Sequence, residues 1–357
     1  MYQTIRSFTK KIYVYPDAET RYSEPSEPLT PKVKYDTMHS ITRQEVVQMK
    51  TGHIRQRIVP HLWFDKEAEE AADFYVSLFE NSTFNGKIVL PDTPSGDTAM
   101  VDFDLAGMNF AAISAGPYFK LNPSVSLMVT CKDKDEVNRL YEALIQGGKE
   151  LMPLAEYDFS SWYVWLEDRY GLSWQIAVGD GTPSPKIQPC LLFSGDAVGK
   201  AEDFMKEYVD VFENSAVGFV QNYAEGDSEV KEAKVMYGEL MLYGFPLVIM
   251  DNGMGDDYTF NEAFSLMIYC NTQEEIDYYT EKLSHVPEAE QCGWVKDKYG
   301  FSWQIVPANM NELLFSGTEE EIARITRAFL QMKKFDIAEL ERAKAGENLR
   351  DPGDTER

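Results

Sequence analysis

Side chains able to do chemistry are few in this sequence. It holds four histidines, His39, His53, His61 and His285, and four cysteines, Cys131, Cys190, Cys270 and Cys292. The thiols form no CxxC pair and have no closely spaced histidine, so a zinc site is not expected. No G-x-S-x-G word offers a hydrolase nucleophile. Gly253-Met-Gly255 lies in an Asp-rich loop that no helix follows, so it does not read as the glycine turn that brings backbone against a nucleotide cofactor. S-adenosylmethionine is therefore unsupported by the residues. The strongest signal is a repeated word. Asp168-Arg-Tyr-Gly-Leu-Ser-Trp-Gln-Ile176 recurs as Asp297-Lys-Tyr-Gly-Phe-Ser-Trp-Gln-Ile305. Strand alternation puts Ser173, Gln175 and Ala177 on one face and Leu172, Trp174 and Ile176 on the other. It likewise puts His61 with Trp63. Gly171 and Gly300 suit a turn with positive φ, and Asp168 and Asp297 can bond nearby backbone there. Trp174 and Trp303 are expected to pack against a helix.

The repeat implies a duplicated unit of about 130 residues. Residues 1–57 have no counterpart later in the chain and carry Pro16, Pro25, Pro28 and Pro31, so they read as a poorly ordered extension. Met49 is a plausible natural start, which leaves open whether residues 1–48 belong to the protein. The first unit, 58–180, reads as strand Ile58–Phe64, helix Glu67–Phe79, strands Gly86–Leu90, Ala99–Leu105 and Met108–Ser114, then strand Ser124–Cys131, helix Asp133–Gln146 and strands at Leu151–Pro153, Tyr163–Leu166 and Leu172–Val178. The order is β-α-β-β-β twice. After the linker Thr182–Pro185, the second unit, 186–310, mirrors it. Phe212-Glu-Asn-Ser215 repeats Phe79-Glu-Asn-Ser82, and about ten residues are missing before the closing hairpin. Helices near Thr318–Met332 and Asp336–Ala345 form a tail over 317–346, before a polar end.

Composition narrows the partners. Asp and Glu number 59 against 34 Lys and Arg, for a net charge of -25. Nucleic acid and anionic membrane are thereby disfavoured, since both need a basic surface. Cys131 and Cys270 end apolar runs and read as buried thiols, which fits a reducing cytoplasm. No apolar run is long enough to span a bilayer, and no signal-peptide core is present at the N-terminus.

A β-α-β-β-β module used in pairs resembles the vicinal oxygen chelate fold, the glyoxalase and bleomycin-resistance superfamily. Pro60-His61-Leu62-Trp63-Phe64, followed by Glu69, Ala72 and Phe74-Tyr75, is similar to the opening of PhnB-like domains, also labelled demethylubiquinone methyltransferase-like. The run from Cys292 to Pro307 is similar to their closing hairpin, and Gln331–Ala338 to the helical tail that follows it. The resemblance covers residues 58–343. It implies an α+β chain of four βαβββ modules forming two glyoxalase-fold domains.

In metal-dependent members of that superfamily a curved sheet surrounds a cleft, and His and Glu from the first and last strands of a module bind a divalent ion. By resemblance, the cleft of the first unit would be lined by His61, Trp63, Ser126, Met128, Trp165 and Gln175. That of the second would be lined by Cys190, Ser265, Met267, Trp294 and Gln304. Gln stands where a metal-binding relative would place Glu, in both copies, and a neutral amide does not offset the charge of an ion. The expectation is a cleft that binds a small organic molecule without a metal cofactor. A metal-dependent lyase, isomerase or dioxygenase using His61 is the alternative, and an interaction module with closed clefts is a third. Two copies in one chain can pair internally, so a monomer is expected beside the homodimer usual for single-domain relatives.

Overall fold

The computed structural model describes residues 56–182 and 184–347. Most of the expected N-terminal extension and most of the polar end therefore lie outside the described residues. The first repeat contains β1 (Ile58–Phe64), α1 (Ala68–Leu78), β2 (Thr83–Thr93), β3 (Gly96–Leu105), β4 (Met108–Ser114), β5 (Val125–Cys131), α2 (Lys134–Leu144), β6 (Lys149–Tyr157), β7 (Ser160–Glu167) and β8 (Ser173–Val178). The second contains β9 (Ile187–Phe193), α3 (Ala201–Val211), β10 (Ala216–Asn222), β11 (Val235–Leu242), β12 (Phe245–Asp251), β13 (Phe264–Cys270), α4 (Gln273–Leu283), β14 (Trp294–Lys296) and β15 (Ser302–Pro307). The tail adds α5 (Met310–Phe315), which the sequence reading lacked, then α6 (Glu319–Phe329) and α7 (Ile337–Ala345).

Local chemistry accounts for these elements. Ala68, Ala71, Ala72 and Tyr75 form one buried stripe at helical spacing on α1. Asp133 and Thr272 cap α2 and α4 by accepting the backbone N–H of Glu136 and Glu275. The hairpins β3–β4 and β11–β12 turn at Ala106-Gly107 and Tyr243-Gly244, with positive φ at both residues of each pair.

The strands assemble across the repeats. One sheet, here sheet A, has the order β14-β15-β13-β1-β4-β3-β2, and the other, sheet B, the order β10-β11-β12-β9-β5-β8-β7-β6. Each sheet thus joins the first module of one repeat to the second module of the other. The junctions are antiparallel: His61 faces Ser265 between β1 and β13, and Cys190 faces Ser126 between β9 and β5.

Sheet A has seven strands where sheet B has eight. The missing residues before the closing hairpin explain this, since a short 3-10 turn at Pro287–Ala289 replaces the counterpart of β6. The tail fills in beside it. The N–H groups of Cys292 and Gly293 donate to the carbonyls of Met332 and Lys333, each at 2.8 Å. Gly293 has φ 79°, and a Cβ there would lie 2.4 Å from Phe335 and 2.7 Å from the Ile305 carbonyl, so only glycine permits this approach. At the other edge of sheet A, α5 and α6 pack on β2, with Phe315 against Gly86.

The repeated word closes the core between the sheets. Asp168 is 4% exposed and accepts from Tyr75 Oη at 2.7 Å, Trp174 Nε1 at 2.8 Å and the N–H groups of Tyr170 and Leu172 at 2.8 and 3.1 Å. Asp297 accepts from Tyr208, Trp303, Tyr299 and Phe301 in the same way, at 2.6 to 2.9 Å. Burial pushes both carboxyls up from the ordinary value, against the pull of these donors. Tyr75 stands on the helix of a sheet-A module and Asp168 on a sheet-B hairpin, so each carboxylate ties one sheet to the other. Trp174 and Trp303 are fully buried against the helices, as their alternation predicts.

Removing one donor tests this clasp. Tyr75→Phe and Tyr208→Phe should each lower unfolding stability by about 1.5–3 kcal/mol, the usual worth of a hydrogen bond to a charged group. Urea denaturation reads the loss, and an unchanged midpoint in both variants would show that the clasps contribute nothing.

Candidate functional site

On β1, Ile58, Leu62 and Phe64 are buried toward the helices, and alternation turns Val59, His61 and Trp63 to the opposite face. Register extends that face sideways. In sheet A, Ala111, His61, Ser265, Ser302 and Lys296 form one lateral row, and Met267, Gln304 and Trp294 the next. In sheet B, the matching rows are Val248, Cys190, Ser126, Ser173 and Glu167, then Met128, Gln175 and Trp165.

The grouping of the candidates changes accordingly. The sequence reading placed His61 with Ser126 and Gln175, and Cys190 with Ser265 and Gln304. The structure places His61, Trp63, Ser265, Met267, Trp294 and Gln304 together on sheet A, and Cys190, Ser126, Met128, Trp165 and Gln175 together on sheet B. The local pattern of a module is the same whether it joins its own neighbour or the other repeat, so the pattern does not reveal which junction forms.

Sheet B's face is packed with its own side chains, and the polar atoms of Gln175, Tyr163 and Trp165 are matched, while Glu167 pairs with Lys149 at 2.6 Å. Gln175 Nε2 donates to Ser126 Oγ at 2.7 Å, and Tyr163 Oη donates to Gln175 Oε1 at 2.9 Å. Trp165 Nε1 donates to Ser173 Oγ at 2.7 Å. Tyr163, Trp165 and Leu192 form a small apolar cluster of their own, against which Tyr258 packs. Cys190 is fully buried, and burial pushes its thiol up to about 12, which keeps it protonated and inert.

Sheet A's face repeats the Gln-Ser bond but not the phenol. Gln304 Nε2 donates to Ser265 Oγ at 2.9 Å. Cys292 occupies the position of Tyr163, and its thiol points to the Phe329 carbonyl, so no phenol reaches Gln304. Trp63 replaces Leu192; its Nε1 donates to the Gly116 carbonyl at 2.8 Å, and its ring meets Phe119 edge-on at 5.1 Å. Trp294 meets His61 edge-on at 5.6 Å and Trp63 at 6.3 Å. His61 Nδ1 and Ser302 Oγ are buried with no hydrogen-bond partner among the described residues. Beside Ser302, Lys296 is held by Glu262 at 2.7 Å.

His61 is 3% exposed, and desolvation lowers its pKa to about 3. It is a neutral ring at any physiological pH. A metal of the kind the fold family uses would need charged donors beside it. The row offers one imidazole and uncharged oxygens, and among the described residues no three His, Cys, Asp or Glu side chains converge. This donor set does not fit a catalytic divalent ion.

Sequence reasoning missed Tyr163, Leu192, Tyr258, Phe119 and Ser302. For Tyr163 the signal was present, since it alternates onto the face of Trp165 in β7. For Tyr258 and Phe119 there was none, because loop conformation brings them to the face.

Two measurements probe this chemistry. Because His61 is neutral when folded and titrates near 6.5 when unfolded, its contribution is present above pH 6.5 and is lost as pH falls toward about 3. His61→Gln should flatten that part of the stability–pH curve, and an unaltered curve would contradict it. Ser173→Ala strands a buried indole N–H and should cost about 1–3 kcal/mol by urea denaturation. A variant as stable as the parent would show that the Trp165 bond is not needed.

The family described as 3-demethylubiquinone-9 3-methyltransferase matches twice, over residues 56–177 and 185–306. A Bacillus cereus structure described as a PhnB protein of that type is 36% identical, aligning with 35% of this chain and 100% of its own at a TM-score of 0.33. A Pseudomonas aeruginosa protein is 25% identical over 34% of this chain and 97% of its own, with TM-score 0.29. Glyoxalase I from Zea mays is 11% identical over 71% of this chain and 94% of its own, with TM-score 0.44. No curated protein sequence matches the chain. With both repeats matched, the chain belongs to the PhnB-like 3-demethylubiquinone-9 3-methyltransferase family, as a tandem of two copies whose strands join into two shared sheets.

Proposed function

We propose that the chain binds a small organic molecule on the His61 face of sheet A, and that the corresponding face of sheet B is a scaffold closed by its own side chains. The observation that carries this reading is the contrast between the twins. In sheet B, Tyr163 and Trp165 donate to Gln175 Oε1 and Ser173 Oγ, whereas sheet A leaves His61 Nδ1 and Ser302 Oγ without hydrogen-bond partners among the described residues, beside half-buried Trp63 and Trp294. Buried polar groups without partners are costly, and a ligand that supplies them regains that cost as affinity.

Metal-assisted catalysis at His61 has less support, because no carboxylate joins the imidazole in its row. The methyl transfer named in the family description is not carried over, since the chain lacks the glycine-rich strand-to-helix turn of a Rossmann-type methyltransferase. All four cysteines are free thiols, which suits a reducing compartment. No helix among the described residues is long and apolar enough to cross a membrane.

A metabolite screen by thermal shift, followed by NMR of the indole N–H signals, tests the reading. Ligands should move Trp63 and Trp294, leave Trp165 in place, and lose at least tenfold in affinity in His61→Ala. A hit that moves Trp165 alone would transfer function to sheet B, and stabilisation by a divalent metal that His61→Ala abolishes would restore the metal reading. Because both sheets are completed within one chain, light scattering should report a monomer of 40.8 kDa, and a tight dimer would count against internal pairing as the final assembly.

A further inference from the structure

Sheet B shows what its twin lacks. Its face is filled by an indole and a phenol, whose N–H and O–H end on Ser173 Oγ and Gln175 Oε1. The same two acceptors recur in sheet A as Ser302 and Gln304. Their internal donors do not. Cys292 replaces the phenol and turns away, and Trp294, at the position of Trp165, lies against His61 and Trp63. Ser302 is 1% exposed and its hydroxyl has no partner among the described residues, while Gln304 is committed to Ser265 only through its nitrogen.

His61 adds the opposite polarity. Its Nδ1 is buried with no hydrogen-bond partner among the described residues, so a proton there is a donor that lacks an acceptor. The tautomer with its proton on Nδ1 offers a donor to a ligand carbonyl, where Cys190 in the twin offers only a weak thiol donor. Charge is balanced around this set. Lys296, the cation in the His61 row, is engaged by Glu262, so neither an anion nor a cation finds an unpaired counter-charge there.

Resting on the small-molecule reading above, we infer that sheet A recognises a neutral, planar molecule of the amide or N–H heteroaromatic lactam class. Its donors meet Ser302 Oγ and Gln304 Oε1, and its carbonyl oxygen accepts from His61. It takes the place of the indole and phenol that fill sheet B. Ser302 Oγ is covered in this conformation, so the half-buried Trp294 ring shifts when the ligand enters.

Four fragments on one aromatic body separate the possibilities: benzamide, N,N-dimethylbenzamide, benzoate and benzylammonium. Each is titrated into the full chain while the Trp63, Trp165 and Trp294 indole signals are followed. Benzamide should bind at least tenfold more tightly than the other three and move Trp63 and Trp294. Ser302→Ala removes a hydroxyl that has no partner, so it should keep or raise the melting temperature while erasing most of the benzamide preference. If the dimethylated amide or either ion binds as well as benzamide, or if Ser302→Ala keeps the preference, the lactam inference fails and binding at sheet A stands. If none of the four moves Trp63 or Trp294, the small-molecule reading of sheet A fails with it.

Discussion

A carboxylate taken out of water must be met by donors, and Asp168 and Asp297 are each met by four. Two come from the turn that follows the aspartate, one from a tryptophan in the next strand and one from a tyrosine on a distant helix. The first two fix the hairpin, the third fixes the strand face, and the fourth joins the hairpin to the opposite sheet. The Tyr-Asp-Trp unit is therefore more than turn chemistry. It ties the two modules of one repeat to each other, while their strand edges join the other repeat.

Much of this was legible in the sequence. The repeated word gave the duplication, the alternation of its residues separated Trp174 from Gln175, and the glycines marked the turns. The helix stripes and the missing residues before the second hairpin were visible too, and the latter became the lost strand of sheet A. What could not be read was the partner of each strand edge. Val125–Cys131 has the same alternation whether it pairs with the strand of His61 or with that of Cys190. The choice between them is a tertiary effect, outside the reach of the local pattern. The same limit hid the loop residues Phe119 and Tyr258.

The two faces show how one word can serve two ends. Ser-Trp-Gln is identical in both copies, and the glutamine keeps its bond to a serine in both. The difference lies in residues outside the word. Tyr163 and Leu192 stand on one face, and Cys292 and Trp63 take their positions on the other. The loss of one strand and the arrival of the tail also fall on sheet A, the sheet that carries His61.

Sharing both sheets between the repeats has a consequence for how the molecule holds together and changes. Neither copy contains a complete sheet, so removing one leaves the other with two edges that lack their partner strands. The copies are bound into one cooperative unit, and a destabilising change in either is felt by both faces. Divergence is then restricted in kind. Residues at the clasps and at the β1–β13 and β9–β5 seams stay tied to each other, while the side chains above the sheets are free to differ, and it is there that the twins have parted.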